Sequence, residues 1–196
     1  MAGAFQNCPI YHFFIFVVFI SDLRRKKGMI PLVNEKLTLA MKLSYPIPVC
    51  IYGYTLAVLN NLLISDFIAL ALTSLGAFLT VKAKIDLGEH HVWTGYRLET
   101  TKLVRKGVYS LIKHPLYTGI YIFIFGGILI LVFHAPWFLT AIFLLTLAYI
   151  MSFLAIIAAR ETKLLAQEFR DEFLKYQEQV HSFLPLRRFK ACISQL

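Results

Sequence analysis

Residues 116–159 read LYTGIYIFIFGGILILVFHAPWFLTAIFLLTLAYIMSFLAIIAA, 44 positions without one Asp, Glu, Lys or Arg. One bilayer crossing takes about 20 apolar residues, so this run is two crossings. Its middle supplies the break, because His134-Ala135-Pro136-Trp137 is a polar turn with an interfacial tryptophan. A helical hairpin in the membrane is therefore the fixed point of the fold. Working outward, further uncharged runs cover 1–21, 43–65 and 67–81. Together they predict an all-α integral membrane protein of five spans, at about 6–21, 45–65, 66–82, 115–133 and 137–159. The third is the weak one, with an apolar run of 15 residues that Lys82 and Lys84 can lengthen by snorkelling. A loop over 83–114 and a tail over 160–196 complete a single membrane domain of residues 1–196.

Composition agrees with that solvent. Of 196 residues, 58% are hydrophobic and 16% charged, against about 25% charged in globular chains, which excludes a soluble enzyme. An aromatic content of 15% likewise excludes a disordered chain. The net charge of +9 would suggest nucleic acid in a soluble protein, yet all 20 Lys and Arg fall in three segments: six in 22–45, seven in 82–115 and seven in 160–196. With five alternating spans these segments share one side. The positive-inside rule then places the N-terminus outside and the tail in the cytoplasm. The basicity is topological, with membrane lipid as its partner and no nucleic acid.

The first span has no basic residues before it, so it reads as a mature helix and not as a secretory signal. Cys8, Cys50 and Cys192 lie in or near different segments and form neither a disulfide framework nor a metal cluster. Cys192 is fifth from the end, one position away from a prenylation box.

Chemistry has to come from the cytoplasmic pieces, because the outer turn at 134–137 is too short to hold a reactant. The stretch from Asp86 to Lys113 carries Gly88, Gly95, Gly107, the pair His90-His91 and several aromatics, which suits an ordered loop. It runs into the fourth span through Lys113-His114-Pro115-Leu116-Tyr117. Pro115 fits a first helical turn. Free N–H groups there favour a carboxylate, and Lys113 and His114 add donors beside them; the alternative is a plain interfacial anchor. In the tail, Leu164, Leu165, Phe169, Phe173, Tyr176 and Val180 form an i, i+4 stripe and predict an amphipathic helix. Glu161, beside Arg160 where the fifth span leaves the membrane, is either a solvated helix-end residue or a partner for a cationic ligand group.

These pieces resemble the integral-membrane methyltransferases that include isoprenylcysteine carboxyl methyltransferase and, more distantly, the phospholipid N-methyltransferases. Leu103-Val104-Arg105-Lys106-Gly107-Val108-Tyr109 is similar to that family's Leu-Val-x-x-Gly-x-Tyr. Lys113-His114-Pro115-Leu116-Tyr117-x-Gly119 looks like its Arg-His-Pro-x-Tyr-x-Gly. Glu161, Leu165, Phe169, Phe173 and Tyr176, ending at Leu184-Pro185, resemble its tail, and the whole match runs from about Leu103 to Pro185. The resemblance implies S-adenosyl-L-methionine as cofactor, leaving as S-adenosyl-L-homocysteine, in a cytoplasmic pocket made by the loop before the fourth span and the tail helix. Carried over by position, the cofactor contacts are Lys102, Leu103, Val104, Tyr109, Lys113, His114, Pro115, Leu116, Tyr117 and Glu161, with His181, Leu184 and Pro185 as further wall residues. Four positions depart from the family: Lys113 for Arg, Thr162 for a second Glu, Arg170 for Gly, and Ile157 where the prenylcysteine enzymes place a substrate-binding Arg. Arg160, one turn along the same helix face, is the candidate to supply that guanidinium in the reaction.

The cofactor has a carboxylate suited to His114 and the helix N–H groups, an ammonium suited to Glu161, and a sulfonium that aromatic faces attract. Methyl transfer is an in-line displacement, for which the protein supplies alignment and a dry site. A carboxylate acceptor is already ionised at neutral pH. An amine acceptor must lose a proton, to His114 or Glu161 on this reading. The resemblance points first to the carboxylate of a C-terminal prenylated cysteine, then to a phospholipid amine, then to a membrane sterol-type reductase with a similar segment.

Overall fold

A computed structural model describes residues 27–59 and 63–183. The hairpin forms where the sequence places it. Helix α4, Pro115–His134, begins on its proline and ends at the polar turn, and α5, Trp137–Gln179, begins beyond Pro136. Twenty residues of α4 extend about 30 Å, the thickness of the hydrocarbon core. The chain does not break at 159, where the fifth span is predicted to end, because α5 keeps helical backbone from Trp137 through Phe169. Polar Arg160 and Glu161 sit well inside a helix that carries its ladder out of the membrane. The bend comes later, at Arg170, whose φ of 40° and ψ of −117° fall outside the helical region. That is the position where the resembled family has glycine, which adopts such a conformation without strain.

Upstream, α3 covers Ile64–Leu87. It is 24 residues and about 36 Å long, enough to cross despite its short apolar run. Over the second predicted span the described residues hold α2, Pro46–Ala57, which follows α1, Glu35–Ser44, through Tyr45. Twelve residues reach about 18 Å, short of a crossing. Pro46 and Pro48 favour a new start there, since neither can donate to a preceding turn. Among the described residues three helices, α3, α4 and α5, are long and apolar enough to cross a membrane. The predicted first span at 6–21 lies outside the described residues, as do Leu184 and Pro185.

The closest packing is between α3 and α4, which meet along small residues. A Cβ on Gly119 would lie 2.4 Å from Thr80 Oγ1 and 2.7 Å from its backbone nitrogen, and one on Gly76 would lie 2.4 Å from the Phe123 nitrogen. Backbones at this separation gain dispersion contact and need small side chains, the usual solution between membrane helices. At the far end of the pair, Asp66 is buried and its carboxylate lies 2.9 Å from His134 Nε2, while also accepting the Leu63 N–H at 2.6 Å. Both α3 and α4 therefore have one end defined by this polar contact and the other at the loop 88–114.

That loop is ordered by short elements: 3₁₀ turns at Gly88–His90 and Gly107–Ser110, and β2, Tyr96–Leu98, paired antiparallel with β1, Met29–Pro31. Gly107 has φ +61°, and a Cβ there would collide with the Asp86 carboxylate. Asp86 is held by Lys82 one turn back and accepts the Val108 N–H at 2.9 Å. The glycine of the Leu-Val-x-x-Gly-x-Tyr segment is thus required by a carboxylate 21 positions away.

Candidate functional site

At the end opposite Asp66, the loop, the first turn of α4 and the middle of α5 enclose a cavity of about 170 Å³. One water needs about 10 to 15 Å³ on this scale, so the space suits an organic ligand. Its walls include Lys102, Leu103, Val104, Tyr109, Lys113, His114, Leu116, Tyr117 and Glu161, nine of the residues expected from the sequence. Segments distant in sequence meet there because each is tied to the others. Tyr176 Oη donates to the Tyr109 carbonyl at 2.6 Å, so the tail stripe closes on the loop, with Phe173 and Val180 buried alongside. The segment after α5 runs beside the entry to α4: Lys113 N donates to the His181 carbonyl at 2.9 Å and His114 N to that of Ser182 at 3.0 Å.

Glu161 is the centre of the polar network. Tyr117 Oη donates to its Oε1 at 2.6 Å, and His114 Nδ1 lies 3.5 Å from its Oε2. The His114 ring is buried, stacks at 17° on Tyr117 with centroids 5.7 Å apart, and has Phe183 on it at 5.6 Å. Its Nε2 is 3.0 Å from Thr162 Oγ1. Burial, then the negative charge of Glu161, hold the Tyr109 phenol well above its usual 10, so it is a neutral aromatic wall and not a base. A carboxylate among aromatic rings suits an ammonium or sulfonium cation. At the start of α4 the N–H groups of Leu116 and Tyr117 have no partner within the helix and favour an anion. Among the described residues no cluster of His, Cys, Asp and Glu is placed to hold a metal.

Three expected residues do not line the cavity. Pro115 is buried in the first turn of α4. His181 acts through its backbone, as above. Arg160 is turned to the N-terminal segment, donating from Nη1 to the Leu32 carbonyl at 2.7 Å. Leu32 is itself on the cavity wall, held also by its N–H to the Gly95 carbonyl at 2.8 Å.

The sequence reading missed several wall residues. Trp93, Tyr96 and Arg97 come from a stretch noted only as aromatic-rich, and Lys42 lies 4.5 Å from the Trp93 ring centroid. Glu168, two turns along α5 from Glu161, also faces the cavity, with Arg97 at 3.6 Å. The heptad spacing of the two acids was visible in the sequence and identifies them as one face. Nothing in the sequence marked Leu32.

The family model described as Phospholipid methyltransferase matches residues 64–172. The chain belongs to that family. The matched region begins at the first residue of α3 and ends just past the bend in α5, so it takes in the helical hairpin, the loop and both acids of the site. Membership indicates a membrane methyltransferase. No curated protein matches the chain.

Proposed function

We propose that the protein transfers a methyl group from S-adenosyl-L-methionine to the amine of a phospholipid headgroup, with the cavity on the cytoplasmic side of the membrane. The observation that carries this reading is the Glu161 carboxylate, bonded by Tyr117 and lined up with His114 at the mouth of an aromatic cavity beside the membrane-spanning part of α5. The donor set fits the cofactor: an acid for its ammonium, unbonded N–H groups at the start of α4 for its carboxylate, and aromatic faces for its cationic sulfur. When bound, the cofactor supplies an electrophilic methyl carbon.

The protein's part is to hold, orient and desolvate. Tyr117 and His114 fix Glu161, while Leu103, Val104 and Leu116 give a water-poor wall. A lipid amine must shed a proton before it attacks. His114 and Glu161 are in contact with one another, and His90, also on the cavity wall, is a further imidazole acceptor. Of the two acids on the α5 face, Glu168 lies 3.6 Å from Arg97, so Glu161 is the carboxylate this reading assigns to a cationic group.

Carboxyl methylation of a prenylated cysteine is the second reading, carried by the Leu-Val-x-x-Gly-x-Tyr and His-Pro-x-Tyr segments. In it Arg160 binds the acceptor carboxylate, for which its guanidinium would leave the Leu32 carbonyl. Purified protein in nanodiscs with methyl-labelled cofactor decides between them. A base-stable methylamine on phosphatidylethanolamine is the expected product. A base-labile ester on a farnesylated cysteine analogue, with no label on the amine lipid, would overturn the leading reading.

A further inference from the structure

We propose that Thr162, which stands where the resembled family has a second glutamate, is the positioning residue that sets the His114 ring against Glu161. The inference rests on the cofactor reading above for its consequence, but not for its geometry. Thr162 Oγ1 is 2.8 Å from the Ala158 carbonyl one turn back and 3.0 Å from His114 Nε2. A carbonyl can only accept, so the single hydroxyl hydrogen goes to Ala158. The same oxygen then meets Nε2 as an acceptor, and Nε2 carries the hydrogen. A hydroxyl therefore does here what a carboxylate would do at that position: it accepts from the ring.

The consequence is orientation. With Nε2 anchored to α5 and the ring stacked on Tyr117 with Phe183 alongside, Nδ1 is left 3.5 Å from Glu161 Oε2. Thr162 and Glu161 are adjacent on one helix, so the two ring nitrogens read two neighbouring residues of α5 from the N-terminus of α4. The backbone of His114 is fixed independently by Ser182, and its carbonyl accepts from Thr118. Only the rotation of the ring about its side-chain bonds is left for Thr162 to decide. Nδ1 bonds the Glu161 carboxylate only when it also carries a hydrogen, so that contact belongs to the imidazolium form; losing the Thr162 contact frees the ring to turn away from Glu161 in either form.

The test uses Thr162→Val, which keeps the branched shape and removes the acceptor, and Thr162→Ser, which restores it. The first readout needs no cofactor: the ¹⁵N spectrum of histidine-labelled protein, with the His114 signals assigned by their loss in His114→Gln. In the wild type and Thr162→Ser, His114 Nε2 gives a slowly exchanging N–H; in Thr162→Val that signal moves and exchanges fast. The second is calorimetric affinity for S-adenosyl-L-homocysteine, expected to fall about threefold to tenfold in Thr162→Val, the range for one hydrogen bond, and to recover in Thr162→Ser. An unchanged His114 spectrum in Thr162→Val, or a Thr162→Ser variant that behaves like Thr162→Val, overturns the proposal. Wild-type protein that does not bind the nucleoside at all would refute the cofactor reading, while the spectrum still decides the role of Thr162.

Discussion

Glu161→Gln is the most direct perturbation of the site. Gln keeps the shape and the oxygen that accepts from Tyr117 Oη at 2.6 Å, but it removes the charge that faces the cavity. The side chain is 28% exposed and contacts His114 at 3.5 Å, so the site is neither fully wet nor fully dry. A charge-assisted hydrogen bond contributes about 1.5–3 kcal/mol, and partial exposure places this one at the lower end because water screens it. A loss of about 1.4 kcal/mol is tenfold in affinity. Titration calorimetry of the protein in nanodiscs with S-adenosyl-L-homocysteine should therefore show binding weakened about tenfold. The thermal midpoint should stay near that of the wild type, because the Tyr117 contact survives. Equal affinity in Glu161→Gln and wild type would refute the assignment of Glu161 to the cofactor ammonium and return it to a solvated helix-end residue.

Other expectations follow from the same contacts. Gly119→Ala forces a methyl into Thr80 at the α3–α4 seam and should destabilise by about 1–3 kcal/mol, seen as a lower melting temperature in detergent. Arg170→Gly relieves a positive φ that only glycine adopts freely and should stabilise by about 1 kcal/mol, net of glycine's larger entropy loss, with a raised midpoint in the same melt. Arg160→Ala separates the two acceptor readings: if Arg160 holds a prenylcysteine carboxylate, turnover of a farnesylated analogue collapses with cofactor affinity intact, whereas methylation of an amine lipid is spared. Reporters near Lys106 and at Leu196 should label as cytoplasmic and one near His134 as external; opposite labelling of the first two removes the five-span topology.

The membrane hairpin was legible because hydropathy is local. A run without charges has to be buried somewhere, and Pro136 with its polar neighbours breaks it whatever else the chain does. The loop and tail positions were legible for a related reason: Tyr109, Tyr117 and Glu161 each belong to a segment with its own turn, helix-start or stripe pattern. The boundaries were less so. The fifth span runs on as helix past 159 to the bend at Arg170, since the apolar stretch and the start of the amphipathic one share the same helical backbone and only the solvent changes between them.

What the sequence by itself determined is thus the solvent, the helical class, the hairpin and the segments that carry chemistry, all functions of neighbours within a few turns. Only the tertiary structure decided which groups touch. Arg160 reaches the carbonyl of Leu32 across 128 positions, and Asp66 pairs with His134 across 68. His114 meets Thr162 across 48. Each of these partners satisfies a polar group that burial would otherwise leave unpaired, and such a requirement names a distance in space, which no spacing along the chain encodes.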